Sequence, residues 1–322
     1  MKIKIDGFVL SIIAVIGIAY FFPHWGMADS GVPIDTISVI GISFIFFFYG
    51  LKLSPHKLKA GLKNWKLHLL VQASTFLIFP LIVLAFYPLI HSVGQQTLWL
   101  AFFFLAALPS TVSSSVVMVS MAKGNIPAAI FNASISGVIG IVLTPLWMGL
   151  FVQKTHTDFD FMEIYTKLIL QILFPVFMGL LLQRFLGFIA QKYSGQLSLF
   201  DKSIILLIIY KSFAQSFGND IFSTVSFLEL LILFVAVLAL FYVAFFLTGF
   251  VAKKLKFNME DQITAQFCGT KKSLVHGTVF SKILFGNMAS IGIILLPLMI
   301  FHATQILILS LIAGKRATRL DE

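Results

Sequence analysis

The chain has 322 residues, of which 59% are hydrophobic and 11% charged, with a mean hydropathy of +0.98; soluble domains carry about 25% charged residues to clothe a water-facing surface, so an all-α integral membrane protein is expected. The net charge of +10 does not indicate a nucleic-acid binder, because the Lys and Arg residues form short clusters between apolar segments and no basic face with aromatic platforms. The single cysteine, Cys268, excludes an intrachain disulfide and a thiolate metal cluster.

Ten apolar segments follow one another, at 7–23, 35–53, 66–90, 96–121, 126–151, 163–188, 202–218, 226–252, 260–284 and 287–313. Each is near or above the ~20 residues a helix needs to cross about 30 Å of hydrocarbon, and all are too long for the alternating strands of an outer-membrane barrel. Residues 7–23 follow Lys2 and Lys4 as a signal peptide would, but no small-x-small cleavage motif follows cleanly, and they are read as the first span.

Basic clusters punctuate alternate connections: Lys2 and Lys4, then Lys52, Lys57, Lys59, Lys63 and Lys66, then Lys123, then Arg184, Lys192 and Lys202, then Lys253, Lys254 and Lys256, and finally Lys315, Arg316 and Arg319. The other connections hold almost no positive charge, only Lys154 set against Asp158 and Asp160. Positive charge is retained in the cytoplasm, so both termini are expected there. Ten spans also divide into two sets of five that enter from opposite faces, the arithmetic of an inverted repeat over 1–152 and 153–322.

Two spans in corresponding places are interrupted. In the fourth, Pro109 breaks the amide pattern, and five hydroxyls stand beside it: Ser110, Thr111, Ser113, Ser114 and Ser115. Either these bond back to carbonyls around a kink, or an unwound stretch lines a binding site. Asn132, Ser134 and Ser136 begin the fifth span as further oxygen donors, on a face whose Gly137 and Gly140 equally suit close packing. The ninth span carries Gln266, Gly269, Thr270, Lys271, Lys272, Ser273 and His276. Gly269 permits a helix break, and an ammonium suits the carbonyl end it exposes. No Asp or Glu lies within nine residues of the lysine pair on either side. An intramembrane charge is costly and marks a functional site, although a lysine can also snorkel to an interface. Lys211 is open to both readings, ion pairing or snorkelling. His68, His276 and His302 have no zinc spacing and are read as packing histidines. No nucleophile elbow, phosphate loop or dinucleotide fingerprint is present, so an enzyme is not expected.

The motifs GISFIFFFYGLKLS at 41–54, LPSTVSSSVVMVSMAKGN at 108–125, FCGTKKSLVHG at 267–277 and ILLPLMIFH at 294–302 resemble the bile acid:sodium symporter superfamily, in the branch similar to the vertebrate sodium/bile acid cotransporter 7. The resemblance implies ten helices in two inverted repeats, a panel domain from spans 1, 2, 6 and 7, and a core domain from spans 3, 4, 5, 8, 9 and 10, with helices 4 and 9 unwound and crossing. It implies a sodium site at Ser114, Ser115, Asn132 and Ser136, no other cofactor, and a bacterial inner-membrane location. A glutamate that the better-known bile acid transporters use for sodium falls here at Phe267, and a Gln-Asn pair falls on Lys271 and Lys272.

The function expected is secondary transport of a small organic anion or amphipath by alternating access, with Ser110, Thr111, Ser113, Ser114, Ser115, Asn132, Ser134, Ser136, Gln266, Thr270, Lys271, Lys272 and Ser273 as the candidate binding residues. The expected partners are that anion and membrane lipid, not nucleic acid, with the chain a monomer or weak homodimer. The alternative is a regulatory membrane protein of calcium or cell-envelope homeostasis that moves no substrate.

Overall fold

A computed structural model describes residues 7–27, 30–53, 64–111, 113–155, 161–220, 226–286, 288 and 290–318. The regular elements among them are helical. They are α1 (Gly7–Phe21), α2 (Ile34–Lys52), α3 (Trp65–Ala73), α4 (Phe79–Leu84), α5 (Val93–Ala107), α6 (Ser113–Met121), α7 (Ile126–Thr155), α8 (Phe161–Leu168), α9 (Phe174–Lys192), α10 (Ser194–Gly218), α11 (Phe227–Lys254), α12 (Met259–Gly269), α13 (Leu274–Phe285) and α14 (Ile291–Thr318). Single π turns, Ser74–Ile78 and Ile169–Leu173, join α3 to α4 and α8 to α9. Of the charges that orient the chain, Lys2, Lys4, Lys57, Lys59, Lys63, Asp158, Asp160 and Arg319 lie outside the described residues, as does the Lys154 side chain.

Among the described residues six runs are long and apolar enough to cross a membrane: Ile34–Lys52, Trp65–Leu89, Ile126–Phe151, Met162–Lys192, Leu228–Lys254 and Ile291–Arg316. The chain is therefore an all-α, multi-span membrane protein. Ten spans are expected from the sequence, and the remaining four segments are also helical but differ in kind. α1 has only 15 residues, α10 carries Asp201, Lys202 and Lys211, and the fourth and ninth segments are each cut into two short helices.

The chain forms two compact units: unit 1 comprises Met1–Ser54, His156–Ser226 and Thr278–Leu295, and unit 2 comprises Pro55–Thr155, Phe227–Gly277 and Leu296–Glu322. In unit 1, α2 and α9 meet through glycines with no side chain between their backbones. A Cβ on Gly50 would lie 3.0 Å from Gly179 Cα and one on Gly179 would lie 3.0 Å from Gly50 Cα, with a carbonyl oxygen, of Val176 or Phe47, closer still in each case. Small residues permit this approach where hydrocarbon on both sides removes the usual hydrophobic drive. Gly50→Ala or Gly179→Ala is expected to destabilise by about 1–3 kcal/mol, because the atoms in the way are backbone and cannot rotate aside. Gly17→Ala, where a Cβ meets nothing within 4 Å, should be neutral; thermal unfolding in detergent compares the three.

Unit 2 is tied together by aromatic packing and by a cluster of polar side chains. Trp99 stacks on Phe103 with ring centres 4.8 Å apart, meets Phe151 edge-on at 5.0 Å, and donates from Nε1 to Val83 O at 3.0 Å. These contacts fix α5 against α4 and α7. Asp261, at the first turn of α12, accepts from Asn64 Nδ2 at 2.6 Å and Asn125 Nδ2 at 2.8 Å, tying the starts of α3, α7 and α12 together.

Candidate functional site

Proline positions open the backbone at which the site is built. α5 starts at a capping box, with Ser92 Oγ accepting from Gln95 N at 3.3 Å and Gln95 Oε1 accepting from Ser92 N at 3.2 Å. It stops at Ala107 because Leu108 precedes Pro109 and is pushed to extended backbone, φ −72° and ψ 151°. The ninth segment is interrupted between Gly269 and Leu274. Gly269 does not have a positive φ; its role is close approach, since a Cβ there would lie 3.1 Å from Ser74 Cβ. The two interruptions bond to each other. Ser273 N donates to Pro109 O at 2.9 Å and Ser110 Oγ donates to Cys268 O at 2.7 Å.

Lys272 fills the space where carbonyls are left over. In the π turn Phe79 N donates to Ser74 O, and the next amide position is Pro80, which has no hydrogen, so Thr75 O loses its helical donor. Ala106 O loses its own because Ser110 N donates instead to Ser136 Oγ at 2.9 Å. Lys272 Nζ donates to Thr75 O at 2.8 Å, Ala106 O at 2.6 Å and Leu108 O at 2.9 Å. Three N–H groups meet three oxygens, and Nζ also lies 4.2 Å from the centre of the Phe79 ring. Gln305 of α14 clamps the Lys272 backbone, accepting from its N at 2.9 Å and donating to its O at 2.8 Å.

Lys271 is held differently. Its Nζ donates to Ser114 Oγ at 2.8 Å and to the Met118 sulfur at 3.4 Å, a weak acceptor. Both lysines have 0% exposure. Among the described residues Lys271 therefore has two N–H groups without an oxygen acceptor, one of them on the Met118 sulfur, whereas Lys272 has none to spare.

The structure brings Ser110, Thr111, Ser114, Ser136, Lys271, Lys272 and Ser273 into one network. Thr111 Oγ1 lies 3.3 Å from Ser114 Oγ, and Ser273 Oγ shares a hydrogen bond with His276 Nδ1 at 2.9 Å. Ser115 Oγ is buried with no hydrogen-bond partner among the described residues, and Ser134 is buried in α7. The Ser113 side chain lies outside the described residues. Thr270 Oγ1 donates to Gln266 O at 2.5 Å and so caps α12. Gln266 turns elsewhere, donating to Phe245 O at 3.1 Å and accepting from Arg316 Nη2 at 2.6 Å. Neither lysine lines the cavity around Asp35 and Lys211 or the one around Phe245 and Arg316.

Three of the four residues of the sodium set expected from the resemblance already bond to protein groups, and Ser115 Oγ is buried without such a partner among the described residues. Ser114 Oγ already meets the Lys271 ammonium, and Ser136 Oγ meets the Ser110 amide. Asn132 donates from Nδ2 to Ala128 O at 2.9 Å, shares a 2.9 Å bond with His68 Nδ1, and accepts at Oδ1 from Gln72 Nε2 at 3.2 Å. A second cation beside Lys271, with no carboxylate to offset it, is electrostatically disfavoured. Among the described residues no group of three His, Cys, Asp or Glu could hold a metal.

Reading the sequence missed Gln305, Gln72, Thr75 and Thr144, whose Oγ1 donates to Ala107 O at 2.8 Å. Gln305 had a signal, an amide inside an apolar run. Thr75 had none, since its backbone oxygen is what acts.

Comparison with known proteins places these residues in context. The model of the SBF-like CPA transporter family matches residues 6–318. An uncharacterised protein of Pseudomonas aeruginosa, PA2026, is 38% identical over 317 residues, covering 98% of this chain and 94% of its own. The putative symporter YfeH of Escherichia coli is 36% identical over 311 residues, 97% of this chain and 92% of its own. The sodium/bile acid cotransporter 7 of Rattus norvegicus is 31% identical over 313 residues, 95% and 91%.

Proposed function

The chain belongs to the SBF-like CPA transporter family, and from that premise we propose that it is a secondary transporter of a small organic anion, in which Lys271 meets the anion and Lys272 is a fixed internal cation. One observation carries the reading. Two ammonium groups are buried side by side in sequence without a carboxylate partner among the described residues, one with three oxygen acceptors and the other with a single hydroxyl. A buried charge that is only partly paired is a strong attractor for an opposite charge.

The scaffold of the proposal is a ten-span inverted repeat in the inner membrane with both termini cytoplasmic. In favour stand the interruptions in the fourth and ninth segments and the division into units, since unit 1 takes the first two segments of each half, together with Thr278–Leu295 from the ninth and tenth. Unit 1 would then be the panel and unit 2 the core, and alternating access would expose Lys271, which is closed off here, to each side in turn. The relatives named a symporter and a sodium/bile acid cotransporter support the transport class. The sodium in the latter's name is left out of the proposal, because the Lys272 ammonium already occupies a cage of three carbonyl oxygens.

Proteoliposomes holding the purified protein test this. Screened against pools of charged metabolites, they are expected to accumulate or exchange an organic anion at a rate unchanged when sodium is replaced by N-methylglucamine. A wild-type protein that carries no anion under any sodium or proton gradient would shift the assignment to the regulatory class.

A further inference from the structure

Unit 1 contains its own charged cavity, of about 480 Å³, lined among others by Asp35, Lys167, Gln171, Lys211, Gln215 and Lys282. We propose that this cavity is a second anion site, built to hold one monocarboxylate group. It shares no residue with the lysine site of unit 2, and it stands whether or not that site transports.

The charge count sets the ligand's sign and valence. Asp35, in the first turn of α2, is bridged by two ammonium groups: Lys211 Nζ donates to Oδ2, and Lys282 Nζ donates to Oδ1 at 3.0 Å and to Asp35 O at 3.3 Å. Lys167 is neutralised separately by Glu163, 2.6 Å away on the same helix. Among the described lining residues, one carboxylate against two lysines leaves a single positive charge. The Lys211 and Lys282 side chains are only 13% and 15% exposed, so water does little to screen it, while Asp35 is 63% exposed.

The donors match the same ligand. Lys211 has two N–H groups beyond the one on Asp35, and Lys282 has one beyond its two contacts with that residue. The amides of Gln171 and Gln215 line the cavity with no side-chain partner among the described residues. A carboxylate has two oxygens and about four lone-pair sites, which these groups can occupy while Val39, Ile208, Ile283 and Ile291 cover an apolar body. The volume suits a small molecule. With the orientation expected from the basic clusters, Asp35, Lys167, Gln171, Gln215 and Lys282 lie toward the non-cytoplasmic ends of their spans, which would turn the site away from the cytoplasm.

Calorimetric titration of the full chain in phosphatidylcholine nanodiscs with butyrate tests the proposal, using the Lys271→Ala variant so that the unit 2 site makes no contribution. Butyrate is expected to bind one per chain, and more tightly than succinate or inorganic phosphate. Lys211→Gln and Lys282→Gln should weaken it at least ~10-fold by removing the excess charge. Asp35→Asn should tighten it, and Gln215→Leu, which leaves every ion pair intact, should weaken it. The opposite signs at Asp35 and Lys211 separate ligand binding from a structural ion pair, which would weaken binding and lower the melting temperature alike in both. Absence of butyrate binding in Lys271→Ala, tighter binding of succinate, or loss of affinity in Asp35→Asn would each overturn the site.

Discussion

Lys272→Met is expected to yield a protein that no longer holds its fourth and ninth segments together. Methionine fills the volume but donates nothing, so Thr75 O, Ala106 O and Leu108 O are left buried without the donor that Lys272 supplies. An unsatisfied buried acceptor costs about 1–3 kcal/mol, and removing one partner of a buried charged cluster costs about 3–5 kcal/mol. The polar backbone cannot turn to water inside a bilayer, which puts the effect at the upper end of that range. Lys272→Arg is expected to fail as well, because a planar guanidinium cannot aim three N–H groups at oxygens arranged around one point. Size-exclusion profiles after stepwise heating provide the measurement. A Lys272→Met variant that melts with the wild type would show that the carbonyl cage is not what holds the interruption.

Lys271→Ala is expected to fold normally and to lose transport. Its ammonium contributes one hydrogen bond to Ser114 and a weak contact to Met118, so its removal strips little from the scaffold. An anion entering that site would instead be left unpaired in a low dielectric, which costs about 2–5 kcal/mol and corresponds to at least a ~30-fold fall in flux. Ser114→Ala should cause a milder loss, roughly 2- to 10-fold, because the hydroxyl only orients the ammonium. Lys254→Ala, exposed at the end of α11, should be silent. Initial uptake rates in proteoliposomes, corrected for reconstituted protein, give the comparison. Equal losses in all three variants would mean that stability, not the anion contact, had been measured.

The contrast between the two lysines shows where reading the sequence stops. Composition and the length of the apolar runs suffice for an all-α membrane protein, because a bilayer demands internally satisfied backbone over a fixed thickness. Pro109 announced the break in the fourth segment, since a residue without an amide hydrogen cannot continue a helix. The break in the ninth was legible from Gly269 and the polar run after it, although the glycine serves Ser74's approach and no unusual backbone angle. Lys271 and Lys272 stand out as intramembrane charges in the sequence, and nothing in the local pattern separates their roles. Lys211 was open between an ion pair and snorkelling, and the pair with Asp35, 176 positions away, decides it.

What the tertiary structure alone decided is which partners each lysine has. Lys272 is held by oxygens from positions 75, 106 and 108, which belong to backbone atoms and leave no trace in residue type. Lys271 faces a hydroxyl at position 114, which was visible as a residue but not as its partner. The physical reason is general: helix and apolarity are set by local pattern and solvent, whereas the partner of a buried charge is set by which distant carbonyls the fold has left without donors.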